Sequence, residues 1–416
     1  YIDDGDITIT KKDDGSQEIK QNGTIIENDD RGEIVITTSN ADKTTLESDL
    51  EGPAAEDSGF GPVVEDNYQP AQPEDAEEPE DADQSEDDAQ QKSTEESKDA
   101  DQPENTDRQE SAQQVAPAAA PAAPTSVNPK DNGFWGNTIT VINKAATALK
   151  LTLKDVKIDV SDTGKNTGNP WNSDEGKAAL SVQGKGNVEI ELDGKNELKS
   201  GAHRAGLEKN TSTSTGTLTL KDDNNEAGSL TATGGDWGAG IGNGGYYGNG
   251  GNRSGENITI TGGSVTATGG DYAAGIGGGY YGSGKNITIK GGTVTATGGD
   301  EGAGIGGGYY GNGENIKITD GTVNATGGWG GAGIGGGGSY DGCSGKNITI
   351  TGGTVTAGGG YRGAGIGGGI RGSGEDITIT GGTVNADGGD NGAGIGGGAT
   401  GSGSNVTVSG AAQVTA

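Results

Sequence analysis

The stretch GAGIGGG at residues 302–308, followed at once by Tyr309-Tyr310, decides how this chain is read. Gly302-x-Gly304-x-x-Gly307 satisfies the dinucleotide fingerprint G-x-G-x-x-G. That fingerprint works where a glycine turn opens a helix whose N-terminus faces a pyrophosphate. Here related stretches recur six times, centred on Ile241, Ile276, Ile305, Ile334, Ile366 and Ile395. After Ile276 the chain runs into YYGSGKNITI, a glycine-rich turn and another strand. No helix pattern follows, so the glycines serve a repeat and the nucleotide reading fails.

The spacing defines that repeat. Successive isoleucines lie 35, 29, 29, 32 and 29 residues apart, while Val265, Val294, Val323, Val355 and Val384 lie 29, 29, 32 and 29 apart. Both series lengthen in the unit carrying GGGGSYDGCSGK (335–346), so one structural unit recurs with loop insertions. Each unit holds three short β-like segments. Period two puts Ile258, Ile260, Val265, Ala267, Ala274 and Ile276 on one side, with Thr259 and Thr266 on the other. One unit is too thin to bury its apolar side, whereas units stacked at ~4.8 Å bury a continuous narrow core. Three strands per coil of about 29 residues describe an all-β, single-stranded parallel β-helix. Asn257, Asn286, Asn315, Asn347 and Asn405, with Asp376 in the gap, recur at one corner, where stacked amides form a hydrogen-bonded ladder.

Composition agrees with a thin core. Of 416 residues, 28% are hydrophobic and 87 are glycine, too few large apolar residues for a thick core. The net charge of −33 argues against nucleic acid or an anionic membrane as partner. A single histidine, His203, argues against a histidine metal site or a Ser-His-Asp triad, and Cys343 alone offers no internal disulfide. No apolar run approaches the ~20 residues that span a bilayer.

Four regions follow from these patterns. Residues 1–47 alternate as strands in GDITIT, QEIKQNGTII and GEIVITTS. Residues 48–134 form an acidic, Pro-rich insertion expected to be disordered. Its 51–130 part carries ten of the eleven prolines and 22 acidic against 4 basic side chains. Irregular coils follow over 135–256 and regular glycine-rich coils over 257–416.

The motifs LTLKDVKIDVSD (151–162), VEIELDGKNELKSG (188–201), AGLE (205–208) and GSLTATGGDWGAGIG (228–242), with the repeats, resemble a family of exported β-helix proteins. These come from Gram-positive anaerobes and are described as carbohydrate-binding domain-containing. The resemblance covers roughly 137–416, with YIDDGDITIT similar to the family's opening strand. It implies a right-handed helix, a secreted or cell-surface bacterial location, and binding of extracellular polysaccharide, acidic glycans among the candidates. The acidic insertion departs from the family's pattern.

The candidate binding residues are aromatic. Tyr246-Tyr247, Tyr280-Tyr281 and Tyr309-Tyr310 follow the A-G-I-G corner, while Trp237, Tyr272, Trp329 and Tyr361 precede it. All are read as facing outward, where flat amphipathic rings with polar neighbours suit sugar faces. The alternative is that they merely cap glycine-rich corners. Asp236, Asp271 and Asp300 recur five residues before the isoleucine and read either as turn formers or as calcium ligands. Calcium is the sole cofactor considered. The repeats offer no unique carboxylate pair, so the expected function is a non-catalytic adhesive module, monomeric, binding cell-wall or host glycan. A structural stalk is the runner-up and a lyase-like or glycosidase-like β-helix enzyme the lesser alternative. Because the insertion cannot bury enough apolar surface to offset chain entropy, deleting 51–130 should leave the thermal midpoint nearly unchanged. A large drop by calorimetry would show that the segment packs.

Overall fold

The computed structural model describes residues 1–29, 33–38, 133–165, 174–209, 212–224, 226–245 and 254–416. All of them lie in one compact unit. The expected disorder of 48–134 therefore falls outside the described residues, except at its last two positions. There the expected boundary is corrected: Phe134 is buried and Lys199 lies 4.2 Å over its ring.

The unit is a right-handed parallel β-helix of three sheets. The first sheet stacks the short strands of the A-G-I-G segments, so Ile241 pairs with Ile276, Ile276 with Ile305 and Ile305 with Ile334. The second stacks the I-T-I segments, pairing Ile258 with Ile287 and Ile287 with Ile316. The third stacks the V-T-A segments, pairing Val265 with Val294 and Val294 with Val323. Every partner is one coil away. Eight register steps carry the chain from Ile139 to Ile395, a mean of 32 residues per coil, against 29 in the regular coils. The three extra residues lie between Gly335 and Gly345, because Ile305 meets Ile334 while Gly313 meets Gly345.

Residues before the insertion belong to the same helix. Ile7–Lys11 pairs in parallel with Ile139–Asn143, and Ile34–Ile36 with Leu151–Leu153. One element departs from the parallel pattern. Gln17–Gln21 and Thr24–Asp29 form a hairpin laid antiparallel on the edge of Ile7–Lys11. Asn22 and Gly23 both have positive φ, 47° and 77°, as a two-residue hairpin turn between right-twisted strands requires.

The core is the expected file of small and branched side chains. Ile276, Ile305, Ile334, Val294 and Ala296 are all fully buried. The amide ladder forms as well. Asn286 donates to Asn257 at 3.0 Å, Asn315 to Asn286 at 3.1 Å and Asn347 to Asn315 at 2.7 Å. Each Asn is held at φ of 53–58°, a conformation its short polar side chain tolerates. Donation always runs back toward the preceding coil, so Asp376, whose side chain has no N–H, has nothing to give the Asn347 amide. Asn405 restarts the pattern by donating to Asp376 at 2.8 Å.

Gly306 turns the corner at φ 138°, and a Cβ there would collide with the Gly335 carbonyl of the next coil. Gly306→Ala should therefore cost at least about 2 kcal/mol, from backbone strain plus the broken rung. Ile305→Ala should cost about 2–5 kcal/mol through the cavity it leaves. Chemical denaturation measures both, and a change below experimental error in either would contradict the stacked-corner account.

Candidate functional site

The aromatic edge is built by two loops that flank the A-G-I-G strand. The residue four before the inward Leu or Ile has left-handed backbone at His203 (φ 66°), Trp237 (68°), Tyr272 (64°), Glu301 (59°) and Asn391 (62°), though not at Gly330 or Arg362. The residue five after the inward isoleucine has it at Tyr281 (60°), Tyr310 (61°), Arg371 (58°) and Thr400 (64°). A backbone bond joins the two loops across coils. Tyr280 N–H donates to the Trp237 carbonyl at 2.9 Å and Tyr309 N–H to that of Tyr272 at 2.8 Å. Rings from before and after the corner are thereby brought to one place.

They form two stacks. His203, Trp237, Tyr280 and Tyr309 lie ring on ring, with centroids 4.4, 4.9 and 5.7 Å apart and planes within 26°. Tyr281 and Tyr310 stack beside them at 4.8 Å and 7°. Tyr272 leans on both Tyr280 and Tyr309, at 5.7 and 5.5 Å. Exposure divides the set: Tyr272, Tyr281 and Tyr310 are 37%, 48% and 36% exposed, and Tyr280 and Tyr309 are half-buried. Trp237, read from sequence as outward, is only 6% exposed. It is covered because His203 in the preceding coil and Tyr280 in the next sandwich its two faces. Tyr246 and Tyr247 lie outside the described residues.

Trp329 and Tyr361 form a second exposed pair, stacked at 5.7 Å, with the Arg362 guanidinium 5.3 Å from the Tyr361 centroid. They stand five residues before the isoleucine, one residue earlier than Trp237 and Tyr272. In the intervening coil Glu301 takes the position of Tyr272, and its carboxylate lies against Gly330 and Gly338, where any Cβ would collide with it. Burial, then Asp300, raises the Glu301 carboxyl above its ordinary range.

The three aspartates read as turn formers or calcium ligands follow the same geometry. Among the described residues no three His, Cys, Asp or Glu side chains are gathered as a metal would need. Asp236, Asp271 and Asp300 do stand on successive coils. Asp271 is raised by burial and then by its two neighbours' charge, so the column repels itself. Trp329 and Tyr361 replace the carboxylate in the two following coils.

Other polar groups of the coils are engaged. Arg204 grips Glu208 with two hydrogen bonds, 2.7 and 2.6 Å, and reaches Glu175 at 3.0 Å. Glu191 is ion-paired with Lys221 at 2.9 Å. The Cys343 thiol is pushed up to about 12 by burial, which leaves it protonated and unreactive. The Tyr309 phenol is held above its ordinary range by burial and then by its hydrogen bond with Tyr310, so it stays neutral.

Sequence reasoning did not place His203 under the stack. The signal was there, since HRAGL (203–207) matches WGAGI (237–241) position by position. A family model described as "Beta helix repeat" matches five segments, residues 258–280, 287–309, 316–338, 348–370 and 377–399. The regular coils are similar to that repeat. The first two matched segments end on Tyr280 and Tyr309, so the exposed Tyr281 and Tyr310 fall just past the matched pattern. No curated protein and no solved structure matches the chain.

His203 supplies a test of the stack. His203 as a residue is 8% exposed, and burial lowers its proton affinity, with Glu175 and Asp236 opposing. A histidine whose folded value is depressed favours the folded state while neutral. The unfolded chain protonates first, near pH 6.5. Stability should therefore be full above that pH and fall as pH drops through the folded value. His203→Phe, which keeps a ring on Trp237, should flatten this part of the melting-temperature profile. A profile identical to wild type between pH 7 and 5 would show that His203 is not buried in the stack.

Proposed function

We propose that this protein is an exported bacterial β-helix module that binds extracellular polysaccharide along its tyrosine edge and performs no chemistry on it. The observation that carries this reading is the backbone cost of the exposed rings. Left-handed conformation costs a bulky residue about 1–2 kcal/mol, which glycine avoids. Tyr272, Tyr281 and Tyr310 nonetheless occupy such positions with their rings in water. Strain of this kind gathers where a surface has work beyond packing. Within each stack the rings cover one another's faces, so a sugar meets their exposed edges and phenol groups, which are hydrogen-bond donors.

The Asp236, Asp271, Asp300 column stands beside the rings and favours neutral or amino-bearing sugars over acidic ones. The engagement of Glu208 by Arg204 and of Glu191 by Lys221 supports a binder over a glycosidase, whose mechanism needs two carboxyl groups flanking one bond. A second reading, a stalk within a larger surface protein, is favoured by one observation. The asparagine ladder and unbroken isoleucine file stiffen the coils without reference to any ligand.

Tyr281→Gly with Tyr310→Gly separates the two. Relief of strain, about 1 kcal/mol per residue, offsets part of the loss of the contacts these rings make with each other and with Tyr280 and Tyr309, about 0.5–1.5 kcal/mol per pair. The variant should thus stay folded with a modest fall in melting temperature. By analogy with bases on aromatic platforms, each ring contributes about 1–3 kcal/mol, so affinity for a polysaccharide found on a glycan array should fall about tenfold or more. Unchanged affinity in the folded variant would remove this edge from the binding site, and no glycan bound by wild type would favour the stalk.

A further inference from the structure

Two arginines of the regular coils hold no carboxylate. Arg204, in the irregular coils, holds Glu208 and Glu175. Arg362 and Arg371 form no ion pair among the described residues, in a chain of 61 acidic and 28 basic side chains. Asp341 and Asp390, in the adjoining loops, do not pair with either guanidinium.

Both guanidinium groups are laid against exposed rings instead. That of Arg362 is 5.3 Å from the Tyr361 centroid and that of Arg371 is 5.2 Å from the centroid of Tyr340. Arg371 Nη1 also donates to the Tyr340 carbonyl at 3.2 Å. Trp329 stacks on Tyr361 and is exposed as well. The backbone joins the two arginine loops through one residue. Ala399 N–H donates to the Arg362 carbonyl at 2.8 Å, and Arg371 N–H to the Ala399 carbonyl at 3.0 Å. Ala399 stands four residues after Ile395, where Tyr280 and Tyr309 stand in earlier coils, so an alanine rather than a ring lies between the loops. Arg371 itself takes the position of Tyr281 and Tyr310, with left-handed backbone at φ 58°, a strain that glycine would avoid.

A ring beneath a guanidinium takes its face and leaves the five N–H groups in its plane. Arg362 donates none of them to another described residue and Arg371 donates one. Such a fork matches the two oxygens of a carboxylate, and neighbouring rings offer the amphipathic surface that a sugar needs. Trp329 and Tyr361 also stand where the three preceding coils carry Asp236, Asp271 and Asp300, so the charge that repels an anion is replaced in these two coils. We infer that Arg362 and Arg371, with Trp329, Tyr340 and Tyr361, form a second subsite that takes the carboxylate of a uronic acid unit. The inference rests on the polysaccharide reading of the tyrosine edge but uses different residues, two coils further along from Tyr310.

The test is calorimetric titration of the full chain with trigalacturonate. Wild type should bind it, and Arg362→Gln with Arg371→Gln should weaken binding about tenfold or more while the melting temperature stays near that of wild type. The methyl ester of the same trisaccharide keeps the sugar rings and loses the charge, and it should bind wild type no better than the acid binds the variant. Tyr281→Gly with Tyr310→Gly should retain the affinity for trigalacturonate. No binding by wild type, or equal affinity in the folded arginine variant, overturns the subsite and leaves the tyrosine edge to its own test. A loss confined to the tyrosine variant moves the acid to that edge and overturns it too. So does equal affinity for tricarballylate, three carboxylates without a sugar ring, which would reduce the site to charge attraction.

Discussion

A coil of three short strands has no inside of its own, and this constraint governs the rest of the molecule. Ile305 is fully buried because Ile276 lies on one side of it and Ile334 on the other. Burying such a side chain yields about 1.5–3 kcal/mol only when both neighbours are present. Stability therefore accumulates along the stack, coil by coil, rather than within any coil. The corners must let backbones approach to the rung spacing, which is why Gly306 stands where a Cβ would strike the Gly335 carbonyl. The abundance of glycine and the scarcity of large apolar residues are two results of the same geometry.

That geometry also decides where a coil is free to vary. An inward isoleucine is shared by two neighbours, so a change there disturbs three coils. A loop residue flanking the A-G-I-G strand touches mostly its equivalents above and below. At the position four before the inward residue the coils carry His203, Trp237, Tyr272, Glu301, Gly330, Arg362 and Asn391, seven different side chains on one scaffold. Asn391 is a residue that left-handed backbone tolerates, whereas Gly330 and Arg362 do not adopt that conformation. The aromatic ones are departures from local preference, confined to a few adjacent coils, and they meet the rings of the following loop through the bonds from Tyr280 and Tyr309 to the carbonyls of Trp237 and Tyr272.

Much of this was legible in the sequence, because a strict period turns sequence distance into spatial distance. Residues 29 apart are neighbours, so the Tyr280–Tyr309 and Tyr281–Tyr310 stacks and the asparagine ladder could be read directly. Where the period fails, so does the reading. His203 lies 34 residues before Trp237, in an irregular coil, and its cover over Trp237 was missed. Trp329 and Tyr361 sit one residue earlier in the loop than Trp237 and Tyr272, in the place of the aspartates, and that shift is legible from their spacing to the isoleucine. The antiparallel hairpin at Gln17–Asp29 was hidden for another reason. Alternation has the same period in parallel and antiparallel strands, so only the Asn22-Gly23 turn carried the difference.

Lys209 marks the limit of pattern reading. Period two points it inward, but its charge argues for the surface, and the sequence alone gives no means of weighing one against the other. Packing decides for the inward position, because Lys209 continues the ladder from Leu207–Glu208 onto Gly242 and has no route to solvent. In the regular coils the same position is glycine, so no side chain enters there at all. The irregular coils thus differ from the regular ones in chemistry as well as in loop length. They retain buried polar groups, Lys209 and the Glu208 held by Arg204, in a region the repeats fill with backbone. The aromatic stack begins in this same stretch, at His203, and extends into the first regular coils. Side-chain individuality is therefore concentrated at the junction between irregular and regular coils, while the coils beyond it repeat one solution to the packing problem.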